Sequence, residues 1–129
     1  MAQDYRDLIV WKRAIELTVC VYKFTRTLPS DEQYGPSSQM RRASVSVASN
    51  IAEGRGRLNV AEFRQFLGLA QGSAYEVQTQ MIVAKTLGLG EAETLTKAEL
   101  LSNEVSKMLS SFIQKLNAGL SKKKLVASS

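Results

Sequence analysis

Carboxylates, lysines, arginines, four tyrosines and one thiol carry all the reactive chemistry of this chain, because its 129 residues include no histidine and a single cysteine, Cys20. Without histidine there is no Ser-His-Asp triad and no Cys-His pair. One cysteine alone cannot build the usual zinc sites. The Glu-x-x-His motif of di-iron helical bundles is excluded too. Cys20 sits between Val19 and Val21 and reads as a small packed hydrophobe, not a nucleophile. Glu53, Glu62 and Tyr75 are the remaining catalytic candidates, and no constellation joins them. The string Gly54-Arg55-Gly56-Arg57 has too few glycines for a phosphate loop and follows a helix, not a strand. The expectation is a protein that is not an enzyme, with no catalytic residue, no metal and no cofactor.

What remains is binding chemistry, carried by arginine. The chain holds 17 Lys plus Arg against 12 Asp plus Glu, a net +5. Residues 1–60 carry nine basic and six acidic side chains, residues 61–120 five and six, and Lys122–Lys124 add three more. The excess in the first half gathers in Arg41, Arg42, Arg55 and Arg57, with Arg64 nearby. Arg41 and Arg55 are fourteen residues apart, about 320° of net rotation and about 21 Å of rise on a helix, so one helix edge could hold both. Guanidinium forks suit phosphate oxygens without reading bases, which makes these five arginines candidates for nucleic-acid backbone contact. The plainer alternative is intramolecular pairing, for example Glu53 with Arg57 four residues on.

Four helices must position these groups. Pro29 and Pro36 are the only prolines, so long helices are expected elsewhere. The spacing predicts a first helix over about 7–28, with Leu8, Trp11, Ile15 and Tyr22 on its apolar stripe. A second is predicted from Ser37 or Ser38 to near Gly56, with Ser37 as N-cap and Met40, Ala43, Val47, Ile51 and Gly54 inward. Asn50 beside that stripe is expected to set register by a buried hydrogen bond. Asn59 and Glu62 resemble a capping box opening a third helix, whose seam is Phe63, Phe66, Ala70, Ala74, Val77, Met81 and Ala84. Gly88 and Gly90 are candidate terminators. The fourth helix is predicted from about Glu91 or Thr94 to Asn117 on Leu101, Val105, Met108, Phe112 and Leu116, with Leu109 and Ile113 widening the seam and Gly119 stopping it. The expected fold is all-α, an antiparallel up-down-up-down four-helix bundle over residues 1–118 with a disordered basic tail over 119–129.

Two helix backs are short of charge. Between Ala43 and Ala52 no residue is charged, and Val45, Ala48, Ser49 and Ala52 are expected to point away from the core. Opposite the third helix's seam lie Gly68, Gly72, Tyr75, Thr79, Ile82 and Val83, again uncharged. A monomeric bundle needs polar backs, so both faces are predicted subunit contacts in a homo-oligomer. The lone cysteine suits a reducing compartment. Residues 1–10 lack secretory-signal features, and the longest uncharged stretch, Gln65 to Tyr75, is eleven residues, too short for a membrane span. A cytoplasmic protein with no membrane partner is expected.

Several strings together resemble a known family. They are Asp7-Leu8-Ile9-Val10-Trp11-Lys12, Gln33-Tyr34-Gly35, Ser38-Gln39-Met40-Arg41-Arg42-Ala43, and above all Ser49-Asn50-Ile51-Ala52-Glu53-Gly54. Glu62-Phe63, Phe66-Leu67, Ala70-Gln71-Gly72-Ser73 and Glu76 extend the match. The chain is similar over about residues 5–117 to the four-helix-bundle proteins encoded in intervening sequences of bacterial 23S rRNA genes. Pro36 and Ala48 depart from that pattern, where Leu and Pro are usual. The resemblance implies a left-handed bundle and a homopentamer. It also implies kinship to accessory proteins of diversity-generating retroelements, which form basic pentamers and bind nucleic acid and a reverse transcriptase. Five copies at +5 would carry a formal +25, a field that concentrates polyanions. The expected partners are further copies of the chain and RNA or DNA backbone, with an unidentified protein partner left open. A protein-interaction scaffold with no nucleic-acid role is the rival reading.

Overall fold

The computed structural model describes residues 4–128 and places them in four long helices with no strand among them: α1 (Ile9–Thr25), α2 (Ser38–Arg55), α3 (Val60–Thr86) and α4 (Ala92–Ser128). Ser129 and the side chains of residues 123–128 lie outside the described residues, and with them the side chains of Lys123 and Lys124 in the expected basic tail. α2 packs on α1 and α3, and α4 packs on α1 and α3. All four contribute to one apolar core.

The helix ends follow from local chemistry. Asp4 caps a short turn (Tyr5–Asp7) by accepting the Arg6 N–H at 2.9 Å, and its pairing with the Arg6 side chain holds its carboxyl below the usual carboxylate range. α1 ends at Thr25, earlier than the spacing predicts, because Pro29 has no N–H to give the Thr25 carbonyl. That carbonyl accepts instead from Leu28 N–H and from Gln33 Nε2, both at 3.2 Å, and Gln33 Nε2 also serves the Leu28 carbonyl at 3.0 Å. Ser37 is not an N-cap. A wide turn over Gln33–Ser37 makes its backbone already helical, and its hydroxyl donates to Gln33 Oε1 at 3.2 Å. Asn59 does cap α3, accepting the Glu62 N–H at 2.9 Å while its amide donates to the Glu62 carboxylate at 3.3 Å. α3 ends in a Schellman turn: Leu89 N–H reaches Ala84 O at 2.9 Å, Gly88 N–H reaches Lys85 O at 3.1 Å, and Gly88 has φ +69°.

α4 does not stop at Gly119 but runs through it to Ser128. Glycine within a helix costs about 1 kcal/mol and does not force an end. Among the described residues only Gly88 and Gly90 take positive φ, so Gly119 stays in the ordinary helical region while half-buried Leu116 and Leu120 flank it.

The core differs in rotation from the predicted stripes. In α1 the buried set is Val10, Ala14, Leu17, Val21 and Phe24; Ile15 is 39% exposed, and Trp11 and Tyr22 are half-buried. In α3 Leu67 is buried where Phe66 was expected. In α4 Leu95, Ala98, Val105 and Leu109 go inward while Leu101, Met108, Phe112 and Leu116 pack at the edge.

A polar ladder crosses the α3–α4 seam. Gln71 Nε2 donates to Ser106 O at 3.1 Å and to Ser110 Oγ at 2.7 Å, and Gln78 Nε2 donates to Ser106 Oγ at 2.9 Å. Ser102 is fully buried and its hydroxyl has no hydrogen-bond partner among the described residues. An unpaired buried hydroxyl is a net cost, and alanine is the better helix former. Ser102→Ala is expected to stabilise the chain by about 0.5–1 kcal/mol, read as a higher urea midpoint with unchanged slope. A lower midpoint would show that the hydroxyl is in use.

Candidate nucleic-acid and subunit interfaces

The five arginines fall into two groups at opposite ends of α2. Arg41 leans toward α1: its Nε donates to Thr25 Oγ1 at 2.8 Å and its guanidinium lies 4.6 Å from the Tyr22 ring centre. Arg42, beside it, is exposed and makes no ion pair among the described residues. At the other end Arg55 leans toward α3, 5.6 Å from the Phe63 ring centre, and Arg57 lies 4.5 Å from that of Phe66. Arg41 and Arg55 therefore do not share one edge, since one is drawn to Tyr22 and the other to Phe63. Arg64, half-buried, opens α3 near the second group.

The expected Glu53–Arg57 pair forms at 3.2 Å with both side chains well exposed. Such a surface pair is worth at most about 1 kcal/mol, so a phosphate can replace the carboxylate. The aromatic faces act differently. A ring beneath a guanidinium helps to place it without cancelling its charge. The Arg55/Arg57 group is thus a pair of cations pre-oriented on Phe63 and Phe66, which themselves pack in the bundle; Phe63 meets Phe112 edge-on at 5.3 Å. Arg13, by contrast, is held between Glu16 at 2.8 Å and Glu104 at 3.1 Å, and these contacts raise its pKa.

The uncharged faces are placed as follows. Val45 and Ser49 are exposed and Ala52 is half-buried. Ala48 is a correction: at 5% exposure it belongs to the chain's own core. The physical reason is that α1 packs onto that flank of α2, and Thr18 Oγ1 donates to the Ser44 carbonyl there at 3.1 Å. Beside it the unpredicted Ile15 and Val19 emerge, 39% and 48% exposed. With Trp11, Thr18, Val45 and Ala52, Ile15 bounds a shallow groove of about 260 Å³ between α1 and α2. On α3, Gly68, Gly72 and Thr79 are exposed, as are Tyr75, Ile82 and Val83 at 51%, 59% and 52%. A Cβ added at Gly68 or Gly72 would meet nothing within 4 Å.

Asn50 does not bridge helices itself. It donates to Ser46 O and Oγ at 2.9 and 3.0 Å, and Ser46 then meets Ser73 of α3 at 2.9 Å. Cys20 is half-buried against the core. Among the described residues no cluster of three or more His, Cys, Asp or Glu could hold a metal, and no helix is long and apolar enough to cross a membrane.

Residues 6–111 match the family model described as 23S rRNA-intervening sequence protein. No curated protein matches the chain. Among solved structures it is similar to a protein of unknown function from the S23 ribosomal protein family of Bacteroides thetaiotaomicron VPI-5482. That likeness has a TM-score of 0.75 at 21% identity, covering 87% of this chain and 99% of that one. It is a likeness of fold.

Proposed function

The chain belongs to the 23S rRNA-intervening sequence protein family, and we propose that it is a non-enzymatic cytoplasmic homo-oligomer that binds RNA or DNA backbone through arginine. The observation that carries the reading is the Arg55/Arg57 pair laid on Phe63 and Phe66 with Arg64 close by in sequence: cations fixed in place yet charged and partly exposed. The bundle is read as antiparallel. Thr18–Ser44 with Thr25–Arg41, and Gln71–Ser106 with Gln78–Ser102, support this, because pairing numbers fall on one helix as they rise on the other.

Assembly is read from the two apolar faces. The α1–α2 groove and the α3 stripe are different surfaces on one chain. A two-fold contact buries only one kind of face, whereas a head-to-tail contact buries both at once and can close a ring. The residue resemblance favours five copies and kinship to the retroelement accessory proteins.

An anisotropy titration of structured RNA at several salt concentrations tests the binding. Affinity is expected to fall steeply with salt. Arg57→Glu with Arg64→Glu is expected to cost about tenfold at low salt and to flatten the log–log slope by about two. No binding at low salt, or an unchanged slope in the double variant, overturns the reading. The scaffold alternative is favoured by Arg41, whose contacts to Thr25 and Tyr22 are internal. In that case Arg55→Glu changes the sedimenting mass and no RNA binds.

A further inference from the structure

A second groove, of about 550 Å³, runs between the start of α1 and the middle of α4. It uses none of the residues assigned above to subunit or backbone contact. Leu8, Val10, Met108 and Phe112 line it, and Ile9 stands 65% exposed at its edge. Lys107 and Lys115 of α4 also line it, both exposed and neither in an ion pair among the described residues. Asp7 is the one carboxylate in the lining. We propose that this groove binds an acidic amphipathic helix of a partner protein.

Three features select that occupant. The two lysines are eight residues apart on α4, two helical turns and about 12 Å. A ligand meeting both must present anions at that interval with apolar groups between them. A helix bearing Asp or Glu two turns apart along an apolar stripe does so, whereas a single-headed fatty anion engages one lysine. The volume lies within the range of occupied pockets, about 300–1,000 Å³, and accepts a few large anchor side chains, with flexible Met108 adapting to their shape. The apolar faces proposed for subunit contact carry no carboxylate, so a second copy docking through them does not supply the charge.

The test uses the full chain and a fluorescein-labelled peptide of about 18 residues, long enough to form a helix. It carries leucines at helical spacing and glutamates two turns apart. A matched peptide has lysine for glutamate, and dodecanoate serves as a third probe. The acidic peptide is expected to bind at physiological salt. Lys107→Glu with Lys115→Glu is expected to weaken it at least about tenfold, and Ile9→Ser about threefold to fivefold. Lys23→Glu with Lys97→Glu, both at exposed positions remote from the groove, makes the same charge change elsewhere and is expected to cost less than about twofold, mostly through long-range field. Equal binding of the two peptides overturns the proposal. So does an equal loss in the two double variants, or binding of dodecanoate alone.

Discussion

Gly54→Ala is expected to destabilise the fold by about 2–3 kcal/mol, lowering the melting temperature by about 8–12 °C for a chain of this length. The reason is a close approach of helices. A Cβ at position 54 would lie 2.5 Å from Phe66 Cβ, 3.1 Å from Phe63 Cδ1 and 3.3 Å from the Phe63 carbonyl oxygen. A rotamer change relieves the Phe63 ring contact alone. Phe66 Cβ and the Phe63 carbonyl move only if α3 moves, so the last turn of α2 and the first turns of α3 must separate. Alanine's better helix propensity returns about 1 kcal/mol and does not offset the overlap. Thermal unfolding by circular dichroism measures the effect. Gly54→Ala combined with Phe66→Leu is expected to remain as unstable as the single variant, because leucine keeps the offending Cβ. A melting temperature within a degree or two of the parent would show that the helices are not held this close.

That contact explains part of the arginine geometry. Gly54 lets α2 reach Phe63 and Phe66, and the next residues, Arg55 and Arg57, then fall onto those two rings. Pushing α3 away moves the rings from under the guanidinium groups. Gly54→Ala is therefore expected to weaken the proposed nucleic-acid backbone binding even at temperatures where the chain stays folded. A single glycine couples the core to the candidate site.

Much of this was readable in the residues, and the limits are physical. The capping pair Asn59–Glu62 and the terminating Gly88 are local chemistry, fixed by neighbours in the chain, and both form as the spacing predicts. Rotation of a stripe is not local. α1 carries two apolar stripes, one through Val10, Ala14, Leu17 and Val21, the other through Trp11, Ile15 and Tyr22. Periodicity alone cannot say which one meets the core. The aromatic stripe is bulkier but carries the polar N–H and O–H of Trp11 and Tyr22, and the smaller stripe is buried because it fits between α2 and α4. Ala48 departs from its predicted outward position for the same reason: its exposure depends on the flank that α1 covers. The Gln71–Gln78 ladder with Ser102, Ser106 and Ser110 gave only the weak signal of polar residues recurring beside each seam. For the arginines, type and position were legible. Their division between Tyr22 at one end and Phe63 and Phe66 at the other needed the fold.

Val45→Glu and Ile82→Glu are each expected to convert the proposed assembly to single chains, one substitution for each of its two unlike faces. Both residues are largely exposed in the isolated chain, at 43% and 59%, so a carboxylate there is hydrated and the helices stay formed. Placed in a subunit contact, the same carboxylate is buried without a partner, at a cost of several kcal/mol. That weakens association by at least about a hundredfold. Sedimentation velocity at micromolar concentration reads the mass, and circular dichroism checks that helix content is kept. Gly72→Ala separates the two roles further. In an isolated helix it is stabilising by up to about 1 kcal/mol, and the added Cβ meets nothing within 4 Å. If a neighbouring helix packs on the stripe at glycine distance, the same methyl group holds it off. The expected pattern is a higher melting temperature for the single chain together with a lower sedimenting mass. Mixing Val45→Glu with Ile82→Glu sharpens the head-to-tail reading, because each variant keeps one sound face. The mixture is expected to recover dimers through the sound α3 stripe of the first and the sound groove of the second, and to form nothing larger. Full-size assemblies from either variant alone, or no dimers on mixing, would mean that these two faces do not meet.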